Sequence, residues 1–311
     1  MGHVSPPPLP RFLEGALPGR RRAWRLEEGP DAGRVLHYLE VGPPSAPPVL
    51  LLHGNPTWCY LWRKVIRALP PQRFRCLAPD LLGLGLSSKL ARPGDHQLDR
   101  HLAALRSWAR ALELERPALL VGQDWGGPLA AGVGLDLPAG AAGLVLANTS
   151  VLVPRRPRGT RFHRFSNTPC ISDLAFRLLE FPQRGLARVQ GDRRSIRGDV
   201  ARAYRWPLRR LRDRAAPLGL ARMVPARPDH PSLPTLRVIE AWACAFAGPV
   251  ALVWGERDPI LGRALDKHTA ALPRATVTRT EAGHFLQEEV PGALAAAIVD
   301  VADRARGAAR R

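Results

Sequence analysis

Short apolar runs and segments with helical spacing alternate along the first half of the chain. Continuous apolar runs at Val49–Leu52, Ala118–Val121 and Gly143–Ala147 are typical of strands that are buried on both faces. Trp58–Leu69 and Leu98–Leu112 carry apolar residues at the spacing of an amphipathic helix. Strands that alternate with helices in this way form a parallel sheet, so we predict such a sheet with helices on both faces.

The pattern predicts eight strands in all, and hence a mostly parallel eight-stranded sheet of the α/β class. Two strands come first, Ala23–Glu28 and Arg34–Val41, and form a hairpin through Gly29-Pro30-Asp31. The other predicted elements, in chain order, are strand Arg75–Pro79, helix Gly126–Leu137, helix Thr235–Ala247, strand Val250–Trp254, helix Arg263–Leu272, strand Ala275–Thr280 and helix Pro291–Arg304.

The alternation stops after Ser150. Residues 151–234 are rich in arginine and proline and contain no strand-like run. They predict short helices at Asp173–Leu179, Gln183–Gln190, Arg197–Ala203 and Pro207–Ala215. A helical insertion after the sixth predicted strand lies over the carboxyl ends of the strands, where ligands bind in open α/β sheets. We therefore divide the chain into a first core part (residues 1–150), a helical cap (residues 151–234) and a second core part (residues 235–311).

Positive charge is concentrated in the predicted cap. The chain has a formal net charge of +19, and residues 155–227 contain 19 arginines and 5 acidic residues. Such a segment can bind nucleic acid or an anionic surface. However, 43 of the 46 basic residues are arginine, which indicates a compositional bias, and the segment shows no RNA-binding signature. We therefore predict neither a nucleic-acid nor a membrane partner, and the sequence carries no readable signal for an oligomer.

Two further features bear on the cellular compartment. The proline-rich residues 1–10 lack the apolar stretch of a secretory signal, and no apolar run reaches the roughly 18–20 residues that span a bilayer. The cysteines show no metal-ligand spacing; they are Cys59, Cys76, Cys170 and Cys244. We expect a cytoplasmic protein with reduced, mostly buried thiols.

The segment Gly122-Gln123-Asp124-Trp125-Gly126-Gly127 lies between a predicted strand and a predicted helix. Small residues on both sides of Asp124 match the nucleophile elbow, a sharp turn that exposes a strained nucleophile. Because Asp is also a common helix N-cap, the motif alone leaves a purely structural role open. An aspartate that attacks an alkyl carbon gives an ester that water cleaves, whereas a serine would give a stable ether. Asp124 as a nucleophile therefore points to alkyl substrates.

Other polar motifs follow the remaining strands. His53-Gly54-Asn55 comes after a buried strand, and the backbone N–H of Asn55 is placed to form an oxyanion hole with that of Trp125. Asp258 follows the strand Val250–Trp254, and His284 follows the last strand. The order of nucleophile, acid and histidine is that of the α/β-hydrolases, so we predict that Asp124, Asp258 and His284 form a catalytic triad.

Taken together, these motifs resemble the haloalkane dehalogenases, a family within the α/β-hydrolase superfamily. The resemblance covers roughly residues 23–296 and is weakest in the cap. In that family the tryptophan after the nucleophile and the asparagine after His-Gly donate side-chain N–H groups to the leaving halide. The resemblance implies these halide-binding roles for Trp125 and Asn55, which should point at one spot beside the Asp124 carboxylate. Core packing of Trp125 and a turn role for Asn55 remain the alternatives.

The family places its catalytic acid at one of two positions. One is occupied here by Asn148, which carries no charge, and the other by Asp258. The resemblance is therefore to the subfamily with an Asp-His-Asp triad and an Asn/Trp halide pair. It implies that Asp124 forms an alkyl ester and that His284 activates the water that hydrolyses it. The implied partners are a small halogenated hydrocarbon, water and the halide product, with no metal or organic cofactor.

Other functions stay open at this point. Epoxide hydrolases share the Asp nucleophile, but they usually protonate the epoxide with two cap tyrosines, and the predicted cap has only Tyr204. Fluoroacetate dehalogenases place arginines directly after the nucleophile, where this chain has Trp125 and Gly126. Coelenterazine luciferases use an acid at the position of Asn148. A catalytically silent hydrolase-fold binding protein is the alternative outside the enzymes, and an intact triad argues against it.

Overall fold

The computed structural model describes residues 2–157 and 160–309, and within these residues a single mostly parallel sheet forms the core. Its strands lie in the spatial order β1-β2-β3-β5-β4-β6-β7-β8-β9. The pairs β1/β2, β2/β3 and β3/β5 are antiparallel, and all other neighbours are parallel. The bounds are β1 His3–Val4, β2 Arg20–Arg25, β3 Val35–Val41, β4 Pro48–Leu52, β5 Arg75–Pro79, β6 Ala118–Asp124, β7 Ala141–Thr149, β8 Val250–Gly255 and β9 Thr276–Thr280.

The sheet of the described residues has nine strands, where the sequence predicts eight. The additional strand is β1, in which His3 pairs with Trp24 and Val4 pairs with Ala23. Two residues in a proline-rich segment carry no alternation that could be recognised, so only the pairing with β2 defines this strand. The cap consequently follows the seventh strand in the chain and not the sixth.

Helices cover both faces of the sheet, as predicted. They are α1 Arg63–Ala68, α2 Leu98–Ala111, α3 Gly126–Gly134, α4 Arg161–Ser166, α5 Ile171–Asp173, α6 Gly198–Arg205, α7 Ala215–Arg222, α8 Leu233–Ala245, α9 Leu265–Ala271, α10 Leu286–Glu289 and α11 Pro291–Ala309. A π-helix, Leu174–Leu178, continues α5. Short 3-10 turns occupy Arg11–Leu13, Cys59–Trp62, Pro93–Asp95, Gln183–Val189, Arg193–Ser195, Trp206–Leu208, Leu211–Asp213 and Gly262–Ala264.

The strand β4 shows how the two layers are built. Leu50 and Leu52 pack into one hydrophobic cluster, which includes residues of α2, α3 and α8. Val49 and Leu51 point to the opposite face and pack with residues of α1 and α11. Successive side chains of a strand alternate between faces, and a strand that is apolar at every position therefore requires a layer of helices on each side.

The residues between β7 and β8 differ from the prediction at α4, at α7 and at Pro207–Ala215. The helix α4 was not predicted, and the predicted helix Pro207–Ala215 is replaced by two 3-10 turns followed by α7. The segment of α7 contains Pro217 and Gly219, the two residue types with the lowest helix propensity. Pro217, however, lies in the first turn of α7, where a backbone N–H has no partner inside the helix and proline is tolerated.

The four cysteines are divided between the interior and the surface. Cys59 and Cys76 are buried, but Cys170 and Cys244 are exposed, so the prediction of mostly buried thiols is wrong for half of them. Cys170 lies in the turn before α5, and Cys244 lies on α8. In the described part of the chain, no helix combines the length and the apolar character that crossing a bilayer demands.

Candidate active site

Asp124 ends the strand β6 and has a positive φ of 53°, a conformation that L-residues adopt only under local constraint. The turn is tight because its glycines allow close contact. A Cβ on Gly122 would lie 2.2 Å from the carbonyl oxygen of Gly126, and a Cβ on Gly126 would lie 1.9 Å from that of Leu52. The helix α3 has Trp125 as its N-cap and no side-chain cap bond, so Asp124 does not serve as the cap.

The Asp124 carboxylate is held by the backbone groups predicted as the oxyanion hole. The N–H of Asn55 donates to Asp124 Oδ1 at 2.8 Å, and the N–H of Trp125 also donates to this carboxylate. Only 18% of the Asp124 side chain is exposed. Burial raises the pKa of Asp124, and the nearby His284 and the two N–H groups offset this rise only in part.

His284 lies between the two carboxylates of the predicted triad. Its Nδ1 is 2.9 Å from Asp258 Oδ2, and its Nε2 is 3.8 Å from Asp124 Oδ2. Burial lowers the pKa of His284, but the Asp258 and Asp124 carboxylates outweigh it, so the pKa is raised overall. With Nδ1–H donating to Asp258, the lone pair of Nε2 faces the elbow. The structure thus brings Asp124, Asp258 and His284 together, although they are far apart in the sequence.

Two residues of this region had no positive role in the sequence analysis. Asn148, considered there only as a missing acid, donates from Nδ2 to the Gly283 carbonyl and accepts from the Gly255 N–H. It therefore ties together the loops that carry His284 and Asp258. Gln123 is buried, and its Nε2 donates to the His284 carbonyl at 3.1 Å and lies 3.2 Å from His284 Nε2. A polar residue at the end of a buried strand was the available signal for both.

In the structure, the side-chain N–H groups of Asn55 and Trp125 donate to backbone carbonyls. Asn55 Nδ2 donates to the Pro217 carbonyl at 2.9 Å, and Trp125 Nε1 donates to the Leu220 carbonyl at 2.9 Å. Both acceptors belong to α7, which packs directly over the elbow. Both donors therefore have partners on a helix between β7 and β8, which the sequence did not indicate.

The close approach of α7 depends on small residues at its contact with the core. A Cβ on Gly219 would lie 2.6 Å from His96 Cβ, and a Cβ on Gly83 would lie 2.7 Å from the Ala216 Cβ. Neither contact leaves room for a larger side chain. The absence of side chains at Gly219 and Gly83 therefore lets α7 pack closely against the loop that precedes α2. The two carbonyls then reach the donors on Asn55 and Trp125.

A separate buried group has the residue types of a metal site. Within the described residues, His37, Cys59 and Asp80 form the one such cluster, with their ligand atoms all within 4.8 Å of one another. The Asp80 carboxylate accepts from His37 Nδ1, from the Cys59 N–H and from the Leu86 N–H. Although burial opposes it, the attraction and hydrogen bond of His37, the nearby His53 and the Leu86 N–H lower the pKa of Asp80 to about 2. The hydrogen bonds account for the cluster as a structural link between β3 and the loop after β5.

Comparison with known proteins places this geometry in a family. The sequence pattern of the alpha/beta hydrolase fold matches residues 47–291. A haloalkane dehalogenase of Mycobacterium marinum is 34% identical over 85% of this chain and 87% of its own length. Haloalkane dehalogenase 2 of Mycobacterium tuberculosis is 34% identical over 86% of this chain and 91% of its own length. The chain belongs to the haloalkane dehalogenase family.

A solved member of the family has the same architecture. The haloalkane dehalogenase DbeA from Bradyrhizobium elkani USDA94 superposes with a TM-score of 0.75 at 27% identity, over 86% of this chain and 95% of its own. The family and its α/β-hydrolase fold, both expected from the motifs, are thereby confirmed. The comparisons show the family and the fold, and the roles of the individual site residues stay predictions.

Proposed function

We propose that this haloalkane dehalogenase family member hydrolyses a haloalkane to an alcohol and a halide ion through an alkyl ester on Asp124. The observation that carries the proposal is the position of His284, which is hydrogen-bonded to Asp258 and faces Asp124 across 3.8 Å. A carboxylate nucleophile and a histidine base this close suit a two-step displacement, because the histidine can activate the water that attacks an ester on the carboxylate.

In the first step Asp124 acts as the nucleophile. The Asn55 N–H holds Oδ1, so Oδ2 is the oxygen that attacks the carbon bearing the halogen. A C–O bond forms as the C–halogen bond breaks, and the halide leaves with the electron pair. Burial helps this step because it removes water from the carboxylate, and the elbow fixes the direction of attack.

In the second step water cleaves the ester. His284 Nε2 takes a proton from the water, the resulting hydroxide adds to the ester carbonyl carbon, and Asp258 stabilises the imidazolium. The ester carbonyl oxygen is the former Oδ1, so the N–H groups of Asn55 and Trp125 stabilise its negative charge. The intermediate then collapses, and the alcohol leaves with the proton from His284.

We propose that the side-chain N–H groups of Asn55 and Trp125 bind the halide after exchanging partners. They donate to neutral carbonyls of α7, and an anion accepts a hydrogen bond more strongly than a carbonyl does. Binding of substrate or halide therefore requires α7 to withdraw by the size of a halogen. In this view residues 151–234 act as a cap whose position controls access to the site.

The epoxide hydrolase alternative is disfavoured by Tyr204. That reaction usually needs cap tyrosines to protonate the epoxide oxygen, but the Tyr204 hydroxyl donates to Glu288 Oε1 at 2.5 Å and is buried. Burial and the negative charge of Glu288 raise the pKa of Tyr204 well above its usual value, which makes it a poor proton donor.

The test is halide release by the purified chain from brominated and chlorinated alkanes. Asp124→Asn should abolish release, because an amide does not attack the carbon. Asp266→Asn is the matched control, since Asp266 carries the same side chain on the surface, 85% exposed, and should release halide at the wild-type rate. Absence of release by the wild-type chain, together with hydrolysis of an epoxide, would replace this proposal with the epoxide hydrolase.

A further inference from the structure

A short helical stretch of the cap presents an uncommon set of aliphatic side chains to solvent. The exposed fractions are 59% for Ile171, 52% for Leu174, 53% for Leu178 and 63% for Leu179. Ile171 lies in α5, Leu174 and Leu178 lie in the π-helix, and Leu179 follows it directly, so the four exposed side chains belong to one continuous stretch. We call these four residues the aliphatic patch. Scattered single exposed leucines are ordinary, but four within nine residues are not.

The opposite face of this stretch is firmly packed. Phe176 is fully buried and contacts the rings of Phe162, Phe165 and Phe181, with centroid distances of 6.0, 6.2 and 5.3 Å. Because this aromatic cluster anchors the stretch, the aliphatic patch is directed outward and is not a loosely packed piece of the core. The aliphatic patch is therefore available for contact with a partner from outside the chain.

The surroundings of the aliphatic patch are positively charged. The acidic residues of the stretch are already paired: Asp173 with Arg222, and Glu180 with Arg214. Exposed arginines lie on the helix before the stretch and on the 3-10 turn after it; they are Arg161, Arg164 and Arg188, whereas Arg184 on the same turn pairs with Glu180. An apolar face that is flanked by arginines is the pattern of helices that lie in a membrane interface.

We propose that the cap docks on an anionic lipid membrane through the aliphatic patch and the arginines that flank it. A bilayer surface satisfies both features, since acyl chains accept the leucines and acidic headgroups pair with the arginines. A second copy would bring two positive surfaces together. A nucleic acid would pair with arginines but leave the aliphatic side chains in water, because bases stack on aromatic rings. The proposal departs from the sequence-based prediction of no membrane partner and does not depend on the chemistry proposed for Asp124.

The test is cosedimentation of the full chain with lipid vesicles. One set consists of phosphatidylcholine, and in the other phosphatidylglycerol replaces about a third of it. The wild-type chain should bind the second set only, and raising NaCl to about 0.5 M should release it. Arg161→Gln with Arg164→Gln should weaken binding roughly 25-fold, because each arginine near an anionic surface contributes a factor of about five. Arg110→Gln with Arg116→Gln, exposed arginines of the core, is the control and should bind as wild type.

Variants of the aliphatic patch test whether its side chains enter the lipid or whether the arginines alone attract the chain to the membrane. Leu174→Asn with Leu178→Asn should weaken binding about tenfold or more, because both side chains lose apolar contact with the lipid. The control is Val238→Asn with Val277→Asn, two aliphatic residues of the core that are 56% and 39% exposed, which should leave binding unchanged. Thermal melting checks that all variants fold.

Three outcomes would overturn the proposal. The first is the absence of binding to the anionic vesicles. The second is an equal change of vesicle binding in the patch variant, Leu174→Asn with Leu178→Asn, and in its core control. The third is concentration-dependent self-association in sedimentation velocity that Leu174→Asn with Leu178→Asn abolishes, because the aliphatic patch would then be the contact between two copies.

Discussion

Replacing Trp125 with phenylalanine separates the two roles that its indole N–H can have. In the structure this group donates to the Leu220 carbonyl of α7 at 2.9 Å, which makes Trp125 an anchor for the cap. The proposed reaction makes it a donor to the leaving halide. Phenylalanine keeps most of the ring and removes the N–H, so stability and turnover can be measured on the same variant.

The two roles predict free-energy changes of different size when the indole N–H is removed. The Leu220 carbonyl also accepts from the Met223 N–H at 3.2 Å, so it keeps a partner after the substitution. The loss of stability should therefore be close to one net hydrogen bond, about 1 kcal/mol, plus a term for the smaller ring. A lost donor to a developing anion typically costs about 2.7–4 kcal/mol in the transition state, so turnover should fall by roughly a hundredfold to a thousandfold.

Trp58→Phe is the matched control. Trp58 is also a buried core tryptophan, and its Nε1 donates to the cap carbonyl of Ala203 at 3.1 Å. Trp58 packs with the cluster on the other face of the sheet, whereas Trp125 packs with the cluster that contains α3. Both variants should lose similar stability in urea denaturation, but only Trp125→Phe should lose turnover and affinity for bromide as a product inhibitor. If the two variants lose turnover equally, Trp125 acts only as a cap anchor and the halide role is refuted.

Three further predictions follow from the same geometry. His284→Phe should still release about one halide per site and leave an alkyl adduct on Asp124, because the variant lacks only the base for the second step. Mass spectrometry of the intact chain detects the adduct. Absence of the adduct with a reactive bromoalkane would contradict this order of steps. Hydrolysis of the ester needs neutral His284, so the hydrolysis rate should fall as the pH drops through the raised pKa of His284. Asp258→Asn removes a carboxylate that opposes the effect of burial on this pKa, so the acid limb of single-turnover hydrolysis should move to lower pH. The plateau rate of the variant should be lower by roughly 10³-fold or more. Gly126→Ala should prevent stable folding, because its Cβ would lie 1.9 Å from the Leu52 carbonyl, whereas Gly292→Ala on α11 meets no atom within 4 Å and should leave the melting temperature nearly unchanged.

The sequence alone indicated eight of the nine strands in the described residues, the elbow segment and the three residues of the predicted triad. Apolar runs separated by helical segments dictate a parallel sheet, because each strand must be covered on both faces. Asp124, Asp258 and His284 each follow a strand, and parallel strands end at one edge of a sheet. Their proximity could therefore be anticipated from local patterns, even though 160 positions separate the first from the last.

The contacts between the cap and the carboxyl ends of the strands could be determined only from the tertiary structure. The partners of Asn55 and Trp125 lie 162 and 95 positions further along the chain, on a helix that no periodic pattern marked. Asn148 and Gln123 likewise gain their roles from loops that fold back from the end of the chain. The strand β1 exists only because β2 offers an edge. Local sequence encodes which face of an element is buried, but it does not encode which distant backbone carbonyl will reach a given donor, because that depends on how whole elements pack.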